Sequence, residues 1–160
     1  KREFIDCDDF IEKRTHLTIR EIFERHGESH FRTLESEAGA ELSKLDGKVL
    51  ATGGGAVLKY QNMQVFKRAG AMILFLRVSP EAAFERIHAD SATRSRRPAL
   101  TDKDPAIEIR EQIELRMPYY LKAADLVVPV DGWTVADIVG EIVRHLGGPG
   151  HEEGEPATIA

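Results

Sequence analysis

At 160 residues with 42% hydrophobic content, the chain is long enough for one domain with a real core and short for two. A net charge of −5 argues against an extended basic face for nucleic acid, so an anion site must be a local cluster of arginines, and a single cysteine, Cys7, excludes an internal disulfide. No apolar run reaches the ~18 residues of a membrane span and no signal pattern is present, which predicts a cytoplasmic protein with neither membrane nor nucleic acid as partner.

Glu3 to Asp6 is short, apolar and ends on acids, predicting a buried strand that finishes at a site, followed by a helix over Asp8 to Thr15. Thr18 stands three residues before Glu21, a capping box, with Ile19, Ile22 and Phe23 as its apolar stripe and Gly27 as its stop. Phe31, Leu34, Ala38, Leu42 and Leu45 then recur at three- and four-residue steps, so a long amphipathic helix runs from Glu28 to Leu45 and Gly47 ends it. A strand over 48–52 leads into Gly53-Gly54-Gly55, and a helix around Gln61 to Ala69 is closed by Gly70. Ala71 to Val78, nearly all apolar, reads as a parallel strand covered on both faces. Pro80 opens a helix through about His88. Residues 89–100 hold three arginines and little apolar content, predicting a mobile lid. Asp104 to Lys122 reads as a helix with a kink or break at Pro118. Leu126 to Val130 is a further strand, and Thr134 to Leu146 a final helix with Val135, Ile138, Ile142 and Val143 facing inward. Gly147 to Ala160, rich in Gly, Pro and Glu, predicts a disordered tail. Strands alternate with helices throughout, so the class is α/β with a mainly parallel sheet in one domain over 1–146.

The triple glycine carries the most chemical information. Without Cβ atoms its backbone N–H groups can approach a ligand closely, and φ > 0 is permitted; the bland reading is a tight turn. Asp6 and Asp8 flank Cys7, and if the chain is still extended both carboxylates face one side, suited to a metal shell and to accepting a hydroxyl proton. The competing reading is that one of them caps the next helix. Arg32, with Glu35 one turn later, matches ordinary surface decoration when taken alone. Arg116 precedes Met117-Pro118-Tyr119-Tyr120 and either aims its planar fork into a cleft or snorkels. Arg94, Arg96 and Arg97 concentrate positive charge on the lid, where it could close over phosphates. The six histidines show no metal-ligand spacing, and Cys7 reads as a small buried filler.

In order, Phe-Ile-Asp-Cys-Asp-Asp-Phe-Ile-Glu (4–12), the run from Ile19 to Glu35, Ala-Thr-Gly-Gly-Gly-Ala-Val (51–57), Arg-Arg-Pro-Ala-Leu (96–100) and Arg-Met-Pro-Tyr-Tyr (116–120) resemble the shikimate kinases. The resemblance covers roughly residues 3–146. It implies a three-layer α/β/α P-loop NTPase fold of the nucleoside monophosphate kinase type. It also implies transfer of the γ-phosphoryl of ATP to the 3-hydroxyl of shikimate with Mg²⁺, by a monomer. Carried over by position, Asp8 binds the shikimate hydroxyls and assists proton removal, Asp6 holds Mg²⁺ through water, and Arg32 and Arg116 grip the carboxylate. Gly53, Gly54 and Gly55 line that pocket, Arg97 reaches the phosphates from the lid, and Arg86 lies beside the adenine. Three departures accompany it. The sequence contains no Gly-x-x-x-x-Gly-Lys-[Ser/Thr] phosphate loop, so the first strand and that loop are expected to be missing and the 160 residues alone inactive. The stretch between Arg86 and Arg97 is longer than in short-lidded members, and Trp133 stands where many have a basic residue near the adenine, either stacking on the base or simply packing. The alternative is a non-catalytic ligand-sensing domain derived from the same fold; a gluconate or nucleoside monophosphate kinase relative would not explain the triple glycine together with Arg32 and Arg116.

Overall fold

The computed structural model describes residues 2–89, 104–146 and 157–158. The expected lid, apart from Ala89, therefore lies outside the described residues, as do 147–156 and 159–160 of the tail.

Strand β1 (Glu3–Asp6) runs directly into helix α1 (Cys7–Thr15), and Asp6 is the cap between them. Its carboxylate accepts the Asp8 N–H at 2.8 Å and the Asp9 N–H at 3.3 Å. The helix thus begins one residue earlier than expected, and Asp8 sits in its first turn instead of on extended backbone. The two helices expected around Gly27 form one bent element, α2 (Ile19–Leu42), with Gly27 at φ 79°, ψ 170° in its middle. At its start the Thr18 capping box is reciprocal, Glu21 N–H to Thr18 Oγ1 at 3.2 Å and Thr18 N–H to the Glu21 carboxylate at 2.9 Å. The helix stops at Leu42, short of Leu45, because the chain must turn back through Gly47 (φ 68°) into the next strand; Leu45 consequently falls outside the packed stripe and is 45% exposed. Arg14 joins α1 to α2 through Glu37 and Glu41.

Strand β2 (Lys48–Ala51) pairs in parallel with β1, Glu3 opposite Lys48 and Asp6 opposite Ala51. That register brings the Asp6 cap and the glycines at 53–55 to the same end of the sheet. A 3₁₀ turn (Ala56–Leu58) and helix α3 (Tyr60–Arg68) follow. Strand β3 (Leu74–Arg77) leads to helix α4 (Pro80–Ala89), helix α5 (Pro105–Ala123) to strand β4 (Leu126–Pro129), and helix α6 (Val135–Leu146) completes the main body. β3 and β4 are parallel, with Leu74 opposite Leu126. Among the described residues no ladder joins β2 to β3, so the strands form two separate parallel groups.

Four expectations are corrected here. β3 is not covered on both faces, since Leu76 is 47% exposed; β4 is the covered strand, with Leu126 and Val128 fully buried beneath Ile138 and Ile142 of α6. On α6 the inward stripe is smaller than expected: Val143 lies about 100° round the helix from Ile142 and is exposed, and Val135, although about 20° from Ile142, is the first residue of the helix and is exposed as well. α5 passes through Pro118 without a break. Two residues later the Tyr120 ring stacks on Phe75 at 4.6 Å and its hydroxyl donates to the Gly54 carbonyl at 2.7 Å. Within the tail, Ala157–Thr158 form a short strand, β5, parallel to β4; an edge strand offers unpaired backbone groups that a short extended segment can satisfy.

Gly27→Ala should lower stability to urea by roughly 1–3 kcal/mol, since its dihedrals lie in a region that only glycine occupies cheaply. An unchanged unfolding midpoint would show that the bend tolerates a side chain.

Candidate active site

The carboxyl ends of β1, β2 and β3 open on a single cavity of about 500 Å³, the position where parallel α/β sheets usually take ligands. Asp6, Asp8, Arg32, Gly53, Gly54, Gly55 and Arg116 all line it. Groups that are up to 110 positions apart in the chain (Asp6 to Arg116) therefore share one wall. Phe23, Phe31, Val78, Ile109 and Ile113 supply most of the apolar remainder.

None of the three glycines has positive φ, so what favours glycine here is crowding, most severe at Gly55. A Cβ at Gly53 would lie 3.0 Å from Glu35 Oε1 and 3.6 Å from Asp8 Oδ1. At Gly54 it would meet the Tyr120 hydroxyl at 3.0 Å and Arg116 Nη1 at 3.5 Å. At Gly55 it would run into the Arg32 guanidinium, with Cζ only 2.5 Å away. The loop is fixed in this shape by Ala56 N–H to Gly53 O at 3.0 Å and Leu58 N–H to Gly55 O at 3.1 Å. Asn62, itself buried, donates to the Ala56 carbonyl.

Arg32 is held from two sides. Its Nε and Nη2 donate to Glu28 Oε1 at 3.2 and 3.0 Å, and Nη1 donates to both oxygens of Glu35 at 3.3 and 3.1 Å. The Arg32 and Glu35 side chains are only 15% and 3% exposed, so this is a buried pair and not the surface decoration that its i, i+3 spacing suggests. Burial pushes the Glu35 carboxyl above its ordinary range, with Asp8 adding to the rise and Arg32 and Lys59 opposing it. Burial, reinforced by the Asp6, Asp8 and Glu35 carboxylates, pushes the Cys7 thiol up to about 12, which makes it an inert filler as expected. Arg116, one helical turn before Tyr120, has a buried Nε with no hydrogen-bond partner among the described residues. That leaves its fork suited to an incoming anion.

Arg86 and Trp133 are not part of this cavity's lining. Arg86 reaches the carboxyl end of β4 and donates to the Val130 carbonyl at 2.6 Å. Trp133 packs against the cluster of Leu126, Val128 and Val130. Arg97, with Arg94 and Arg96, lies outside the described residues. No group of three His, Cys, Asp or Glu side chains is placed to hold a metal among the described residues. Glu35, Glu28 and Tyr120 were not recognisable as site residues from composition or period. The one available signal was that carboxylates bracket Arg32 at both i−4 and i+3, which points two acids at one guanidinium.

Glu35→Gln should flatten part of the pH dependence of stability. Because the folded carboxyl holds its proton to higher pH than the unfolded one, its contribution is fully present below about pH 4.5 and is lost as pH rises through the raised folded value. Urea unfolding at pH 5 and pH 7.5 should therefore show the wild type losing stability relative to the variant at the higher pH; the opposite ordering would contradict the burial argument.

The shikimate kinase family model matches residues 1–147. Shikimate kinase from Caldanaerobacter subterraneus subsp. tengcongensis is 40% identical over 141 residues, covering 88% of this chain and 79% of that protein. The enzyme from Thermodesulfovibrio yellowstonii is 37% identical, covering 89% and 79%. Among solved structures, shikimate kinase from Acinetobacter baumannii in complex with shikimate superposes with a TM-score of 0.83 at 31% identity, over 91% of this chain and 78% of that one. The Bacteroides thetaiotaomicron enzyme follows at 0.79 and 32% identity, over 91% and 84%. A match along nearly the whole main body, with Asp6, Asp8, Arg32, Arg116 and the three glycines of the four described motifs gathered in one cavity, means that this chain belongs to the shikimate kinase family.

Proposed function

We propose that this chain binds shikimate in the cavity between α1, α2, α5 and the glycine loop, and that phosphoryl transfer from ATP to the shikimate 3-hydroxyl occurs at its acidic end. The observation that carries the reading is the polarity of that cavity. Two guanidinium groups, Arg32 and Arg116, stand against Gly55 and Gly54, while Asp8 stands against Gly53. A small ring with a carboxylate on one side and hydroxyls on the other matches this order of charges, with bidentate Arg contacts fixing the carboxylate.

In this reading Asp8 accepts the proton of the 3-hydroxyl as its oxygen attacks the γ-phosphorus, the β–γ bridging bond breaks, and ADP leaves. Arg97 neutralises charge on the moving phosphoryl from the lid, and Arg86, at the end of β4, borders the adenine. The donors on hand fit a mostly hydrated Mg²⁺: Asp6 commits one oxygen to its helix cap, Asp8 is its only near acidic neighbour in the cavity lining apart from Glu35, and magnesium takes few protein carboxylates. Asp6 would hold it through water, and the ion when bound supplies charge neutralisation at the ATP phosphates.

The 160 residues contain no Gly-x-x-x-x-Gly-Lys-[Ser/Thr] phosphate loop. The edges of β2 and β3 are not joined among the described residues, which supports a further parallel strand between them as the carrier of that loop. Residues 1–146 would then form one kinase domain, monomeric and cytoplasmic. The described residues include no helix long and apolar enough to cross a membrane. The ligand-sensing alternative shares the pocket but not the transfer step.

Calorimetric titration with shikimate tests the pocket, and Arg116→Ala should weaken binding by about 10- to 100-fold, the order of a lost charge-assisted pair. In the protein completed with a phosphate loop, Arg97→Ala should instead depress kcat with little change in KM, while the 160 residues alone should transfer almost no phosphoryl. Wild-type behaviour of both variants would overturn the assignment of the site.

A further inference from the structure

We propose that Lys59 is a positioning residue for the carboxylate end of the pocket, tying the exit of the glycine loop to the backbone of Arg32 so that the guanidinium stays pressed to the loop. This rests on the shikimate-binding reading above, but on contacts which that reading does not use.

Lys59 follows Gly55 by four residues and occupies the cap position before α3, with extended backbone at φ −95°, ψ 104°. Its ammonium reaches back across to α2 and donates to the Arg32 carbonyl at 2.9 Å and to Ser36 Oγ at 3.3 Å. The Ser36 hydroxyl donates to that same carbonyl at 2.8 Å. Arg32 is thereby gripped at both ends: its carbonyl by Lys59, and its guanidinium by Glu28 and Glu35 against Gly55.

The chemistry suits lysine. A compact ammonium on a long flexible stem can satisfy a carbonyl and a hydroxyl together. Because it bonds to uncharged acceptors, it leaves both carboxylates to Arg32. Further along, α2 and α3 meet through the Phe66 ring, which would lie 3.4 Å from a Cβ at Gly39; that contact is apolar and non-directional. Lys59 supplies a directional, charge-assisted tie at the end nearest the site. Glu35 faces Arg32 on its own helix, Asp8 and Cys7 from α1, and Lys59 from the loop exit; of these only Arg32 and Lys59 favour its charged form. Loss of Lys59 should therefore loosen the arginine and favour protonation of its carboxylate partner.

The test is calorimetric titration of the wild type, Lys59→Met, Lys59→Gln and Lys59→Arg with shikimate and with its methyl ester, which keeps the ring and hydroxyls but lacks the negative charge. The expected result is that Lys59→Met and Lys59→Gln weaken shikimate binding about tenfold while changing ester binding less than about twofold, and that Lys59→Arg stays within about threefold of wild type for shikimate. The loss for shikimate should also grow as pH falls from 8 toward 5. Equal weakening for both ligands, no weakening, failure of Lys59→Arg to rescue, or unfolding of both neutral variants would each overturn the proposal in favour of a merely structural lysine or none. Failure of the wild type itself to bind shikimate would instead strike the functional reading, and the two failures are thus told apart.

Discussion

The buried pair of Arg32 and Glu35 is the constraint around which the site is arranged. An ion pair that deep recovers its desolvation only if the remaining donors are satisfied. Here Glu28 takes the second edge of the guanidinium, and the pair lies beneath a loop whose Cβ atoms have been removed one after another. A methyl group at position 55 would occupy the guanidinium's own volume, and one at position 53 would press on the Glu35 carboxylate. Gly53 and Gly55 are therefore shaped by the buried charges beneath them, while Gly54 makes room for the Tyr120 hydroxyl.

That arrangement needs α2 to deliver residues 28, 32 and 35 at a set angle to β2. The bend at Gly27 separates the capped first segment, which packs Ile19 and Ile22 on Ile11 of α1, from the second segment, which carries the ion pair. On the other side, α5 runs on through Pro118 and brings Arg116 and Tyr120 to Gly54, where the Tyr120 hydroxyl is bonded and its ring stacks on Phe75. Local preference is overridden at Gly27 and at Pro118, each in a helix that carries a guanidinium of the site. Conflicts of this kind between local preference and final structure are expected where a site is built.

The legibility of the chain in sequence was uneven for physical reasons. Elements bounded by a chemical signal emerged close to where they were expected: the Thr18 capping box, the turn at Gly47, the stop at Gly70 and the proline that opens α4 all act through local backbone bonding. Elements judged by hydrophobic content alone fared worse. The run ending at Val78 is richer in apolar residues than Leu126 to Val130, yet β4 is the buried strand, because burial depends on what packs above a strand and not on its own composition. The same distinction explains why Val135 and Val143 were assigned inward. A helix presents apolar residues on more of its circumference than its neighbours cover.

The residues themselves determined which groups could do chemistry: two acids at a strand end, three residues without side chains, and arginines too few for a general field but sufficient for a local anion site. They also carried the family resemblance, since motif order survives in one dimension. Only the tertiary structure decided which alternative each group took. Asp6 became a helix cap at the edge of the cavity and Asp8 a first-turn residue within it, because the helix starts at Cys7. Glu35 passed from decoration to buried partner, because the glycine loop folds over it. Such choices depend on desolvation and on contacts between segments distant in the chain, and neither quantity is encoded in the spacing of residues along a single helix or strand.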